Sequence, residues 1–104
     1  MSDVFAALSD STRRAILERL RAEGPLTLKG IAEPLSMSRQ AVSKHLGVLE
    51  SAGLLTVERN GRERIHNVTS DPLRAVDDWL EPFAAAWAGR LERLQRYLVT
   101  GGKE

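Results

Sequence analysis

Leu73, Leu80, Trp87 and Leu94 recur at every seventh position in the last third of the sequence, flanked by Val76, Trp79, Phe83, Leu91, Tyr97 and Leu98. Seven residues is close to two turns of α-helix, so these side chains fall on one broad apolar face. Asp71-Pro72 supplies the start, with aspartate at the cap and proline at the first helical position, where its missing N–H costs nothing. A helix over residues 71–98 is therefore predicted. Pro82 interrupts it: the ring clashes with the carbonyl of Asp78 and removes one hydrogen bond, so either a kink or a break into two helices is expected. So large a face outruns what the rest of a 104-residue chain can cover, even with Val4, Phe5 and Leu8 helping from a helix over residues 3–9. Each large apolar side chain buried contributes roughly 1.5–3 kcal/mol, so leaving several in water would favour aggregation. A two-fold homodimer is expected, its interface formed by Val4, Phe5, Leu8, Leu73, Val76, Trp79, Leu80, Phe83, Trp87, Leu91 and Leu94.

The remaining residues form one modest core, and a single domain over residues 1–104 is the expectation at this length. Apolar residues make up 42% and charged residues 28% of the chain, which fits an ordinary globular protein and neither a disordered nor a membrane one. No apolar run is long enough to cross a bilayer, and the opening residues lack the basic start and cleavage site of a signal peptide, so a cytoplasmic location is expected. The absence of cysteine excludes disulfides, thiolate metal sites and thiol redox switches. A net charge of +1 carries no message about partners, but its distribution does. Over residues 38–68, Arg39, Lys44, Arg59, Arg62 and Arg64 outnumber Glu50, Glu58 and Glu63, whereas residues 71–81 are acidic.

Ahead of the long helix, the apolar period changes from helical to alternating. Asp10 caps a helix over residues 11–22 with Ala15, Ile16, Leu17 and Leu20 on one face and Gly24-Pro25 as its stop. Thr27 caps a short second helix with Leu28, Ile31, Ala32 and Leu35 inward and Pro34 in its last turn. Ser38 caps a third, with Val42, Leu46 and Leu49 inward and Gly53 at its end. Two alternating runs, residues 55–59 and 62–68, flank Asn60-Gly61, a pair that favours a tight type I′ turn and a two-stranded hairpin. That register shares a face among Leu55, Val57, Arg64 and His66 and sets Glu58 opposite Glu63; a longer loop is the alternative.

Three short helices and then a hairpin is the element order of a winged helix-turn-helix, here mostly α (α+β), with the helix-turn-helix at residues 28–53, a two-stranded wing at 55–68 and flanking dimerisation helices at both ends. The exposed face of the third helix carries Arg39 and Gln40 in its first turn and Ser43 and Lys44 one turn later. Arginine pairs bidentately with guanine and glutamine with adenine, so this face suits the major groove of double-stranded DNA. Arg59, Arg62 and Arg64 in the hairpin would lie where phosphates or a minor groove pass, adding affinity more than sequence choice. A winged helix that binds only other proteins shares this order, and salt-dependent retention of duplex DNA separates the two.

The run Leu35-Ser36-Met37-Ser38-Arg39-Gln40-Ala41-Val42-Ser43-Lys44-His45-Leu46, continuing through Leu49-Glu50-Ser51-Ala52-Gly53-Leu54-Leu55, resembles the helix-turn-helix signature of ArsR-type repressors. Both ends of the chain resemble that family as well, at Phe5-Ala6-Ala7-Leu8-Ser9-Asp10-Ser11-Thr12-Arg13-Arg14 and at Trp79-Leu80-Glu81-Pro82-Phe83. The resemblance implies a dimer held by the first and last helices, DNA recognition by Ser38, Arg39, Gln40, Ser43 and Lys44 with His45 reaching a phosphate, and repression by occupying promoter DNA. Metal sensors of the family carry a Cys-X-Cys pair where this chain has Thr27-Leu28-Lys29, or histidine and carboxylate sets on a last helix that here has no histidine. The resemblance is thus to the metal-independent branch, with no metal, no cofactor, autoregulation in prospect and a small-molecule effector unspecified. Asp77 and Asp78 diverge by about 100° on the helix and lack partner ligands. No enzyme is expected, for want of a cysteine nucleophile, a spaced carboxylate pair or a glycine-rich phosphate loop.

Overall fold

The structure, a computed structural model, describes residues 2–100 apart from the side chains of Leu91 and Thr100. Leu91, expected at the dimer interface, thus has a side chain outside the described residues. The elements run α1 (Ser2–Leu8), α2 (Ser11–Glu23), β1 (Leu26–Thr27), α3 (Leu28–Ala32), α4 (Arg39–Ser51), β2 (Leu55–Asn60), β3 (Glu63–Val68) and α5 (Asp71–Thr100). Contacts group them into two compact units, residues 1–74 and 75–104.

In the first unit the helices start where side-chain oxygens meet free N–H groups. Asp10 accepts from the Arg13 amide at 3.0 Å, Thr27 from Gly30 at 3.2 Å and Ser38 from Ala41 at 3.1 Å. Ile16, Leu17 and Leu20 of α2, Ile31 and Ala32 of α3, Val42, Leu46 and Leu49 of α4, and Leu54 and Leu55 at the head of β2 form the core. Val4 and Ala7 join it from α1, which packs on α2 and α4. Val4 was expected at the dimer interface and is instead only 6% exposed within its own chain, because the inner face of a seven-residue helix has just these two positions to bury. Gly53 ends α4 with φ +78, and an added Cβ there would meet the Pro72 ring at 3.3 Å.

Sequence reading and structure differ at three places in this unit. The second helix of the winged region ends at Ala32, so Pro34 lies beyond it. Proline has no N–H to return to the carbonyl of Gly30, and Arg19 of α2 serves that carbonyl instead: its Nη2 donates to Gly30 O at 3.1 Å and its Nη1 to Ile31 O at 3.0 Å. The sheet has three strands in the order β1-β3-β2 in place of the expected two, since Leu26 and Thr27 pair antiparallel with His66 and Ile65. The hairpin turns at Gly61-Arg62, with Asn60 paired to Glu63. Gly61 has φ +66 and, among the described residues, no non-glycine has a positive φ, which fits a type II′ turn, where only the first central residue needs one. Each partner therefore shifts by two positions, so Glu58 faces Ile65 and not Glu63, while Leu55 and Val57 keep the same face as Arg64 and His66.

In the second unit, α5 runs unbroken through Pro82 over its 30 residues. Asp78, whose carbonyl loses its donor, lies in an exposed stretch where water can serve it. Trp79, Leu80, Phe83, Trp87 and Leu94 are all exposed, Trp87 at 62%. The Trp79 and Phe83 rings stack tilted at 5.1 Å, and the Arg90 guanidinium sits 5.5 Å from the Trp87 ring.

Candidate nucleic-acid interface

The Ser38 hydroxyl fixes the first turn of α4, and burial of Val42, Leu46 and Leu49 fixes its rotation. With that face inward, Arg39, Gln40, Ser43, Lys44 and Gly47 are all exposed. These are the side chains that the spacing assigned to the outer face, and the chain covers none of them. Gly47 leaves open space, since a Cβ added there meets nothing within 4 Å.

The observed register sets two cations of the wing opposite each other. Arg59 pairs directly across the strands with Arg64, and Arg62 occupies the turn. Residues 58–64 are exposed throughout. Two like charges at one cross-strand position repel each other, a cost that a polyanion between them would relieve. Arg64 meets Glu50 of α4 at 4.0 Å, too long and too exposed to hold either side chain firmly.

His45 departs from its expected orientation toward a phosphate. It is half-buried, with Nδ1 3.2 Å from Arg13 Nη1 and 3.9 Å from Asp10 Oδ2. Because arginine only donates, its contact requires a lone pair on Nδ1 and so places the imidazole proton on Nε2. Arg13 also donates from Nε to Ala7 O at 2.7 Å and from Nη2 to Ala6 O at 3.1 Å, while Arg14 donates to Leu8 O at 2.7 Å. The last carbonyls of α1 are thus held by arginines of α2, and the same Arg13 reaches α4. Sequence reasoning missed this hub; the available signal was a pair of arginines directly after the Asp10 cap. The Arg13 amide, above all, holds the Asp10 carboxyl below its ordinary value of 3.8 against some desolvation, with smaller help from the Arg13 charge and the Thr12 amide.

His66, 6% exposed in β3, turns Nδ1 toward Leu26 O at 3.4 Å. Burial pushes its pKa below 6.5, more than the Leu26 carbonyl raises it. Among the described residues no three or more His, Cys, Asp or Glu come together as a metal site, and no helix is long and apolar enough to cross a membrane.

Residues 8–58 match the family profile described as "Helix-turn-helix domain". YuzN of Bacillus subtilis strain 168, an uncharacterized HTH-type transcriptional regulator, is 42% identical over 85 residues, covering 75% of this chain and 92% of that one. The transcriptional repressor SdpR of the same organism is 34% identical over 83 residues, covering 80% and 91%. Among solved structures, an ArsR-like transcriptional regulator from Rhodococcus sp. RHA1 superposes with a TM-score of 0.74 at 36% identity, over 95% of this chain and 90% of that one. This chain belongs to the ArsR family of helix-turn-helix transcriptional regulators. Its fold is the winged helix-turn-helix of that family, with a three-stranded sheet. An ArsR-family chain is a transcriptional regulator and not an enzyme.

Proposed function

We propose that this ArsR-family regulator is a cytoplasmic, metal-independent repressor, in which residues 1–104 act as one DNA-binding domain and two copies bind an inverted-repeat operator. The observation that carries the reading is the uncovered polar face of α4. Arg39 and Gln40 sit at the N-terminal turn, where a docked helix reaches base edges, and Ser38, Ser43 and Lys44 flank them. Arg59, Arg62 and Arg64 add phosphate contacts from the wing. His45, turned toward Asp10 and Arg13, positions α4 and is given no direct contact with DNA.

Two copies would meet through the apolar face of α5, where Trp79, Leu80, Phe83, Trp87 and Leu94 each remain more than two-fifths exposed, and through Phe5 and Leu8 of α1. Leu73 and Val76 are half-buried and would lie at the edge of that contact. Metal independence is supported by the donor set: the sequence has no cysteine, and the described residues offer no cluster of three ligands. Repression then requires only that the dimer occupy promoter DNA, its own promoter included.

Selection of duplexes from a random pool, followed by footprinting on the protein's own promoter, tests the reading. Enrichment of an inverted repeat with half-sites about one helical turn apart, or a multiple of it, is expected. A folded sample that retains no duplex at low salt would refute it.

A further inference from the structure

A cavity of about 540 Å³ opens in the first unit between α4, the start of α3 and the third strand of the sheet. Its size is that of a small-molecule site. Three features of the wall bear on an occupant. Leu28 and Leu46 supply the apolar part of its wall. Gly47, with Ser43 and Ser51 one turn either side, leaves the α4 wall without bulk, and the glycine is not explained by packing within the chain because a Cβ there would touch nothing. A glycine inside a helix costs about 0.5–1 kcal/mol relative to alanine, so the bare space at this point comes at a cost in helix propensity.

The third feature is His66, which is more than nine-tenths buried and lines the same cavity. Its Nδ1 faces Leu26 O, which fixes the proton on Nδ1 and leaves Nε2 with a lone pair. Among the described residues Nε2 has no hydrogen-bond partner, yet no buried side-chain nitrogen or oxygen is sealed away without one, so Nε2 must remain accessible from outside the protein. His66 itself borders the cavity. A neutral acceptor bordering a recess of mixed polar and apolar lining accepts an O–H or N–H, and the wall charges, Lys29 and Arg64 against Glu50 and Glu63, offer no excess for an ion.

We propose that this cavity is a binding site for a small organic molecule with an apolar body and one O–H or N–H donor, held by His66 Nε2 and seated against Gly47. Ser43 and Arg64 belong both to the cavity wall and to the surface assigned to DNA, so an occupied cavity and a bound duplex disfavour each other. That coupling rests on the DNA reading; the site itself does not.

Phenol and toluene, which differ by the donor, are the probes. The imidazole nitrogens of His66 are followed by NMR at pH 7.5 during titration with each, without DNA. Phenol is expected to move the Nε2 resonance saturably and toluene to bind at least tenfold more weakly. Gly47→Leu puts side-chain bulk where the glycine leaves open space and abolishes the phenol response. His66→Phe keeps the ring, removes the acceptor and brings phenol down to the affinity of toluene, read from neighbouring amides. No saturable shift in the natural protein, or an undiminished one in Gly47→Leu, overturns the site whatever happens with DNA. In a second arm, saturating phenol weakens affinity for the selected duplex at least threefold; unchanged affinity with the cavity filled overturns the coupling. A protein that binds phenol but no duplex refutes the DNA reading and leaves the site standing.

Discussion

Replacing Arg13 with alanine removes a side chain of α2 that hydrogen-bonds both α1 and α4. Its bonds to Ala7 O at 2.7 Å and to His45 Nδ1 at 3.2 Å are partly buried. Its bond to Ala6 O is exposed, and the Ser9 hydroxyl already serves that carbonyl at 2.6 Å, so that contact adds little. A hydrogen bond from a charged donor contributes about 1.5–3 kcal/mol net, and partial exposure takes the two remaining bonds to the lower end, about 2–3 kcal/mol together. For a unit of this size a loss of 1 kcal/mol lowers Tm by about 4–8 °C, so Arg13→Ala should melt roughly 10–20 °C below the natural protein by circular dichroism. Lysine can reach only one of the acceptors and should recover less than half of the loss. In a His45→Ala background the cost of Arg13→Ala should shrink by about 0.5–1 kcal/mol in urea titrations, the coupling of that pair. A loss below about 1 kcal/mol, or full additivity with His45→Ala, would refute the role given to the hub.

Three further outcomes follow from the same coordinates. Arg39→Ala should weaken binding to the selected operator by about 1–3 kcal/mol and relax preference at one base position, whereas Arg62→Ala should weaken all duplexes alike and flatten the salt dependence by about one counterion; equal losses on every sequence for both would contradict that division, measured by fluorescence anisotropy at two ionic strengths. Because burial depresses the His66 pKa, the unfolded chain binds more protons just below pH 6.5, so stability is full above that value and falls as acid is added; His66→Gln should remove that slope in urea midpoints while leaving the loss that Asp10 causes below pH 3.8, and an unchanged slope near neutrality would count against the burial account. Gly61→Ala forces a Cβ into a positive φ and should cost about 1 kcal/mol of stability by thermal melting; a neutral or stabilising result would mean the turn is not the one described.

Helix starts were legible because capping chemistry is local: Asp10, Thr27 and Ser38 each bond an amide three residues on, as their identities require. The apolar faces of α2 and α4 were legible for the same reason, since burial repeats with the helix period. Long-range structure was less so. Leu26-Thr27 is too short to carry an alternating pattern, and it becomes a strand only because His66 and Ile65 pass beside it. The turn was misplaced by one residue because Asn-Gly satisfies the type I′ rule, while the strands accept a type II′ turn that needs glycine alone. On the candidate interface, Arg39, Gln40, Ser43 and Lys44 were readable from the helix period, but the orientation of His45 was not, since it depends on an arginine 32 positions away.

The two elements that the proposed function assigns to DNA are restrained to different degrees, which bears on how work would be divided between them. On α4, Val42 and Leu49 are completely buried and Leu46 nearly so; its start is capped, and Arg13 braces it from behind. Its outer side chains therefore project from a backbone that cannot rotate without opening the core, which is what discrimination between base pairs demands. Residues 58–64 of the wing have no buried side chain, and the ion pair that Arg64 makes with Glu50 of α4 is long, at 4.0 Å, and exposed. Few apolar contacts and exposed backbone are the marks of a segment that opens at little cost. Phosphates tolerate such a partner because a charge at the wing need only come near, whereas a base edge must be met at hydrogen-bond distance. Stiffening the wing should accordingly alter affinity across all sequences together, and loosening α4 should erode the preference among them.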